Sequence, residues 1–125
     1  MEYSTIQCSP GICPIGWYIP TSEDMAILCD FLGGEDIAGG ELKETGTVHW
    51  NPPNTGATNS SGFTGLPGGH IISTEYFYLG SSFRFWSSSS SIYALYGTLS
   101  YYNSYFYYQA GFEKTHGYSV RCIRE

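Results

Sequence analysis

Apolar and polar positions along the chain change their period twice. Across residues 21–32 (TSEDMAILCDFL), Met25, Leu28 and Leu32 recur at i, i+3 and i+7, which predicts a short surface helix with one face turned inward. Thr21 or Ser22 can cap its free amides, Glu23 and Asp24 suit the positive end of the helix dipole, and Gly33 can take a left-handed stop. Cys29 falls inside this helix and is expected in the core. Residues 37–48 (IAGGELKETGTV) predict a second short helix or a turn. Residues 51–69 (NPPNTGATNSSGFTGLPGG) are almost all turn formers, with Phe63 and Leu66 as the core anchors. A stretch of that length without a period reads as a structured loop with a role.

Beyond the loop the period falls to two. Residues 70–73, 76–79, 83–86, 92–96, 105–109 and 118–123 each read as a short strand. Alternation is clearest at Phe83 and Phe85 and at Tyr118, Val120 and Cys122, the pattern of antiparallel strands with one solvated face. Trp86, beside the alternating phenylalanines, is expected as a core or cleft-floor anchor. The elements add up to one small α+β domain spanning residues 1–125, with short helices, antiparallel strands and long structured loops; 125 residues suffice for a real core.

Composition sharpens this picture at one place. Seven of the twelve tyrosines lie between Tyr93 and Tyr108, just after the serine run 87–91, and no charged residue stands between Arg84 and Glu113. Tyrosine offers a large, rigid, amphipathic ring at low rotamer cost, and serine and asparagine add adaptable hydrogen-bonding groups, so the tract suits a recognition surface. The bland alternative is a tyrosine-rich sheet filling an ordinary core. Seven hydroxyls in so short a span are more easily satisfied at a water-accessible face than in a dry interior. Asn103-Ser104 has turn chemistry within the tract.

Charge and cysteines set further bounds. Eleven acidic against five basic residues give a net charge of -6, with no basic cluster to neutralise phosphates, so nucleic-acid binding is not expected. No apolar run approaches a membrane span, and MEYSTIQCSPG has neither a basic nor an apolar signal region, so no signal peptide is visible and no membrane insertion is expected. Cys8, Cys13, Cys29 and Cys122 allow three full pairings and lack zinc-site spacing. A Cys13–Cys122 bridge would close a loop of roughly 110 residues; the alternative is four small buried hydrophobes in a reducing compartment.

Enzyme chemistry finds little to hold. His49, His70 and His116 are scattered without ligand spacing and read as surface or turn histidines. The serine run lacks a nucleophile elbow, and neither Gly39-Gly40 nor Gly68-Gly69 fits a phosphate cradle. Seven of the eleven carboxylates fall between Glu23 and Glu44, a solvated helix and loop rather than paired acids. No catalytic residue, metal ligand or cofactor is expected.

The blocks CPIGWYIPTSEDMAILCDFLGG (13–34), AGGELKETG (38–46), NTGATNSSGFTGLPGG (54–69), LGSSFRFWSSS (79–89) and GYSVRCIRE (117–125) together resemble the Fibrobacter succinogenes major paralogous domain, a family abundant in Bacteroidetes, related bacteria and their phages. The resemblance covers nearly the whole chain in the family's block order. It implies a C-type lectin-like fold in which the terminal strands lie together, which would bring Cys13 beside Cys122. The chain also looks like the variable proteins of diversity-generating retroelements, whose adenine-directed mutagenesis rewrites codons near the C-terminal end of such a scaffold. AAY codons become tyrosine, serine, phenylalanine or aspartate codons when their adenines change, and the tract is rich in the first three. The EPN, QPD and WND motifs of calcium-dependent sugar binding are absent, and so is the active-site cysteine pair of the related formylglycine-generating enzymes.

These readings converge on a non-catalytic ligand-binding domain whose contacts are Phe85, Ser89, Ser90, Ser91, Tyr93, Tyr96, Tyr101, Tyr102, Asn103, Tyr105, Tyr107 and Tyr108. The expected partner is a protein or glycan on a cell or host surface, with neighbouring domains of a larger surface or virion protein as further contacts. The expected location is extracellular, on a cell surface or a virion. The alternative is a fixed adhesin or a structural subunit of a surface or phage fibre.

Overall fold

The computed structural model describes residues 12–90, 94–111 and 115–125. Along the chain run β1 (Trp17–Tyr18), α1 (Ser22–Phe31), α2 (Glu35–Leu42), β2 (His70–Ile72), β3 (Glu75–Phe77), β4 (Ser82–Ser90), β5 (Ala94–Ser100), β6 (Tyr107–Ala110) and β7 (Ile123–Arg124). Three antiparallel strands in the order β4-β5-β6 form the main sheet, and the pairs β1-β7 and β2-β3 form two small ladders. The domain is therefore a small α+β unit of short helices and antiparallel strands.

Helix α1 starts where its capping chemistry dictates. The Thr21 hydroxyl accepts from the Asp24 amide at 3.1 Å and the Asp24 carboxylate accepts from the Thr21 amide at 2.9 Å, a reciprocal capping box. Met25, Cys29 and Leu32 are buried and Leu28 half-buried, so the apolar stripe faces inward. Helix α2 begins two residues earlier than the sequence pattern suggests and ends at Leu42. Gly34, at φ 102°, serves as its N-cap, and Glu35 and Asp36 occupy the first turn. Residues 43–48 then leave the helix, because the Lys43 backbone turns extended at φ -78°, ψ 143°.

Alternation divides β4 between two environments. Phe83 and Phe85 point to the helices and join Met25, Cys29, Ala38, Leu42, Trp50, Leu99 and Phe106 in the main core. The Phe85 ring lies 5.0 Å from Phe83 and 5.9 Å from Phe106, nearly parallel to both. Burying aromatic rings of this size contributes about 2 kcal/mol each. Ser82, Arg84 and Trp86 point the other way. At one end of that outer face Trp86 and Tyr96, directly paired across β4-β5, are roofed by Tyr118, whose ring is 4.5 Å from Trp86 and 4.8 Å from Tyr96. Cys13 and Ile19 complete this second core.

The chain ends supply that roof. Trp17 pairs with Arg124 and Tyr18 with Ile123, and Cys13 is disulfide-bonded to Cys122 with Cα atoms 5.9 Å apart. Cys29 is free and buried in the main core, and Cys8 lies outside the described residues.

Three expectations need correction. The segment 118–123 is not one strand: only Ile123–Arg124 is a paired strand, while Ser119 bridges Phe85 of β4, donating to Arg84 O and accepting from the Trp86 amide, and Gly117 just before it bridges Ile71 of β2. Leu66 is 46% exposed and anchors nothing, whereas Phe63 does pack against the core. His70 is no surface histidine; it is 4% exposed and stacks on Phe77 and Tyr78 at 5.7 and 5.6 Å. Burial, then the nearby Arg84 and His116, hold its pKa below the ordinary histidine value.

The sequence separation of 109 residues across the disulfide makes it the largest single constraint on the unfolded chain. Replacing both cysteines (Cys13→Ser with Cys122→Ser) should lower stability by about 4 kcal/mol. Urea unfolding of the two oxidised proteins measures this, and equal midpoints would show that the terminal ladder holds without the bridge.

Candidate functional site

The strand registers define one continuous outer face beside the roofed second core. Ser82 stands opposite Ser100 and Arg84 opposite Thr98 across β4-β5, and Thr98 stands opposite Tyr107 across β5-β6. Directly opposed residues share a face. Tyr107 is therefore on the same side as Arg84, while Phe106 and Tyr108 turn towards the core. The turn between β5 and β6 adds Tyr101, Tyr102 and Tyr105. Tyr101 and Tyr102 meet edge to face at 5.4 Å, as do Tyr105 and Tyr107 at 5.5 Å.

Two devices hold this tyrosine turn in place. Gly39 and Gly40 lie in α2 where helix backbone touches turn backbone: a Cβ on Gly39 would sit 2.0 Å from the Tyr105 carbonyl oxygen. That closeness lets the Gly40 amide donate to Ser104 O at 3.2 Å, the Phe106 amide to Glu35 O at 2.9 Å and the Ser104 hydroxyl to Asp36 O at 2.6 Å. The second device is Lys43, which is completely buried. Its ammonium donates to Thr55 O at 2.7 Å, Asn103 O at 2.8 Å and Ser100 O at 2.9 Å, and lies 5.5 Å from the centre of the Trp50 ring. One cation thus ties the long loop, the end of β5 and the tyrosine turn together.

A cavity of about 400 Å³ opens on this face. Its floor is Ser82, Arg84, Thr98 and Ser100, and Tyr78, Tyr101 and Tyr102 stand at its wall. Arg84 makes no ion pair with any described residue. Its guanidinium lies 5.8 Å from the Tyr78 ring and 5.7 Å from the Tyr96 ring. On the other side of the face the Tyr107 hydroxyl is pushed above the ordinary tyrosine range, by desolvation first and then by Tyr105, Tyr102, Asp36 and Glu35. Among the described residues no group of three or more His, Cys, Asp or Glu side chains could hold a metal ion. No described helix is long and apolar enough to cross a membrane.

The family model of the Fibrobacter succinogenes major domain matches this chain over residues 2–124. The chain belongs to that family. No curated protein and no solved structure matches it.

In this member of the family the expected contact residues are placed very differently from one another. Tyr102, Tyr105 and Tyr107 are exposed, at 62%, 38% and 41%, and come together on the outer face. Tyr101 and Tyr108 are half-buried against the main core, and Asn103 is a turn former whose side chain accepts from the Tyr105 amide at 3.1 Å. Phe85 and Tyr96 are core residues, 2% and 4% exposed, because strand alternation and the Tyr118 roof bury them. Ser89 accepts from the Ser22 amide at 2.9 Å and fastens β4 to the start of α1. Ser90 ends β4 opposite Ala94, and Ser91 and Tyr93 lie outside the described residues.

Sequence reasoning passed over Lys43, Tyr78 and the polar floor of the cavity. For the floor a signal exists: Arg84 is the sole charge between Glu75 and Glu113, and the alternation that buries Phe83 and Phe85 sends Ser82 and Arg84 to the opposite face. For Lys43 no such signal exists, since lysines are mostly solvated.

Replacing Lys43 with Met would leave three inward carbonyls without donors and should destabilise the domain by about 3 kcal/mol. A pH signature accompanies it. Burial lowers the Lys43 pKa from 10.5 to about 8, so between those values the unfolded chain binds more protons than the folded one. This group therefore makes stability rise with pH over that window and adds no pH dependence below it. The difference between wild type and Lys43→Met in urea titrations from pH 7 to 10 should show that rise, and a constant difference would contradict it.

Proposed function

We propose that the outer face of the main sheet is a ligand-binding surface and that the domain is a non-catalytic recognition module. The observation that carries this reading is the exposed cluster of Tyr102, Tyr105 and Tyr107 beside the Arg84 cavity, on backbone that Lys43 and the α2 glycines hold fixed. Rigid aromatic rings on a preorganised turn lose little entropy when a partner covers them, which is what a recognition surface needs. The partner in this reading is a protein or glycan on a cell or host surface, met outside the cell.

We further infer a C-type lectin-like scaffold. Its supports are the paired terminal strands, the bridge that joins them and the long loop whose Phe63 packs against Phe83 and Phe85 of β4. On such a scaffold the tract is read as the diversified segment of a retroelement target protein. Residues reachable from AAY codons are concentrated where side chains leave the core: Tyr102, Asn103, Ser104, Tyr105 and Tyr107. The same tract contains Tyr96 and Phe106, whose rings fill the two cores, and free variation there would damage the fold.

Two measurements test these inferences. Arrayed glycans and surface proteins, probed with wild type and with Tyr102→Ala/Tyr107→Ala, should give a ligand whose binding falls about a hundredfold in the double variant while its unfolding midpoint hardly moves. Binding unaffected by that change would remove the tyrosines from the contact surface. Sequencing the gene across a natural population should find adenine-linked variation at codons 102, 105 and 107 and constancy at 96 and 106. Uniform constancy would point to a fixed adhesin or a fibre subunit instead.

A further inference from the structure

Three side chains that line the cavity on the sheet's outer face each carry a polar atom that no described residue satisfies. Ser82 Oγ, Arg84 Nε and Thr98 Oγ1 are all buried and without hydrogen-bond partners, and they sit within one patch of the β4-β5 ladder. Ser82 itself is only 6% exposed. Buried polar atoms are nearly always paired, so three orphans just beneath one cavity lining mark a place where a bound molecule, with small side-chain rotations, supplies the missing partners.

The chemistry of the floor restricts that molecule. Arg84 offers a planar fork of donors; Tyr118 engages one part of it, and no described carboxylate engages the rest. Such a fork matches a carboxylate. A phosphate dianion calls for more positive charge than one guanidinium in a chain of net charge -6, which favours a monoanion. Ser82, Thr98 and Ser100 line the same cavity as Arg84 with hydroxyl side chains, each able to donate and accept, as the vicinal hydroxyls of a sugar require. The exposed Tyr102 ring at the wall offers a flat surface for the apolar face of a pyranose. An acidic peptide side chain would satisfy the guanidinium and leave the hydroxyls unanswered.

We propose that this cavity is the subsite for an acidic monosaccharide unit, a uronate or sialate, whose carboxylate meets Arg84 and whose hydroxyls meet Ser82, Thr98 and Ser100. The proposal rests on the outer face being a binding surface and names the chemistry that the surface recognises.

The test is titration of the isotope-labelled protein with glucuronate, glucose and N-acetylglutamate, followed by NMR at the Arg84 side chain and the Ser82, Thr98 and Ser100 amides. Glucuronate should move these signals saturably and bind at least tenfold more tightly than either of the other probes. Arg84→Gln should weaken it tenfold or more. Thr98→Val, which removes a hydroxyl without a partner and so spares the fold, should weaken it about threefold. Equal binding of glucose would overturn the role of the carboxylate, and equal binding of N-acetylglutamate would overturn the sugar. Silence of the cavity signals towards all three would overturn the subsite while leaving the tyrosine surface standing, because that surface falls only if Tyr102→Ala/Tyr107→Ala leaves partner binding unchanged.

Discussion

A single buried ammonium organises the half of the domain that faces outward. Lys43 leaves the end of α2 and spends all three of its protons on backbone carbonyls from the long loop, from β5 and from the tyrosine turn. Taking an ammonium out of water is costly, and its lowered pKa records that cost. Three well-placed acceptors offset it, and in return three segments distant in sequence acquire one fixed relationship. Trp50, itself donating to Gly65 O at 3.0 Å, closes the site beside the cation. The loop of residues 51–69 can dispense with secondary structure because such contacts, together with Asn54 donating to Glu44 O and Gly46 O, give its backbone somewhere to bond.

The tyrosine tract shows how one composition can serve two purposes. Strand alternation sends Phe106 and Tyr108 inward and Tyr107 outward, and a roof of terminal residues converts Tyr96 from a surface ring to a core ring. Composition alone cannot draw this line, because the roof comes from Tyr118 and Cys13, far away in the chain. Polar residues on β4 and β5 then keep the uncovered part of the face hydrophilic, so that the exposed rings flank a polar cavity instead of extending a sticky apolar patch.

Local physics made parts of this domain readable in advance. The first helix was legible because capping chemistry, apolar spacing and glycine stops agreed over residues 21–34, and β4 because Phe83 and Phe85 alternate with polar neighbours. The second helix was blurred by Gly39-Gly40, which look like helix breakers and are there to admit the backbone of Tyr105. His70 was misjudged for a related reason: nothing in its own segment announces that Phe77 and Tyr78 will fold back on it. Within the candidate site, Tyr102, Tyr105 and Tyr107 could be named from composition, and Arg84 was available from alternation. Lys43 became visible only when three remote carbonyls were brought to one point.

The paired chain ends have a mechanical meaning. The disulfide joins Cys13 to Cys122 directly, and the Glu125 amide still donates to Gly16 O at 3.0 Å. Tension applied to the chain outside these two cysteines would pass through the sulfur–sulfur link and leave residues 14–121 off the load path. A partner held on the sheet's outer face could then pull on the domain, or be pulled by it, without the geometry of that face being the part that yields.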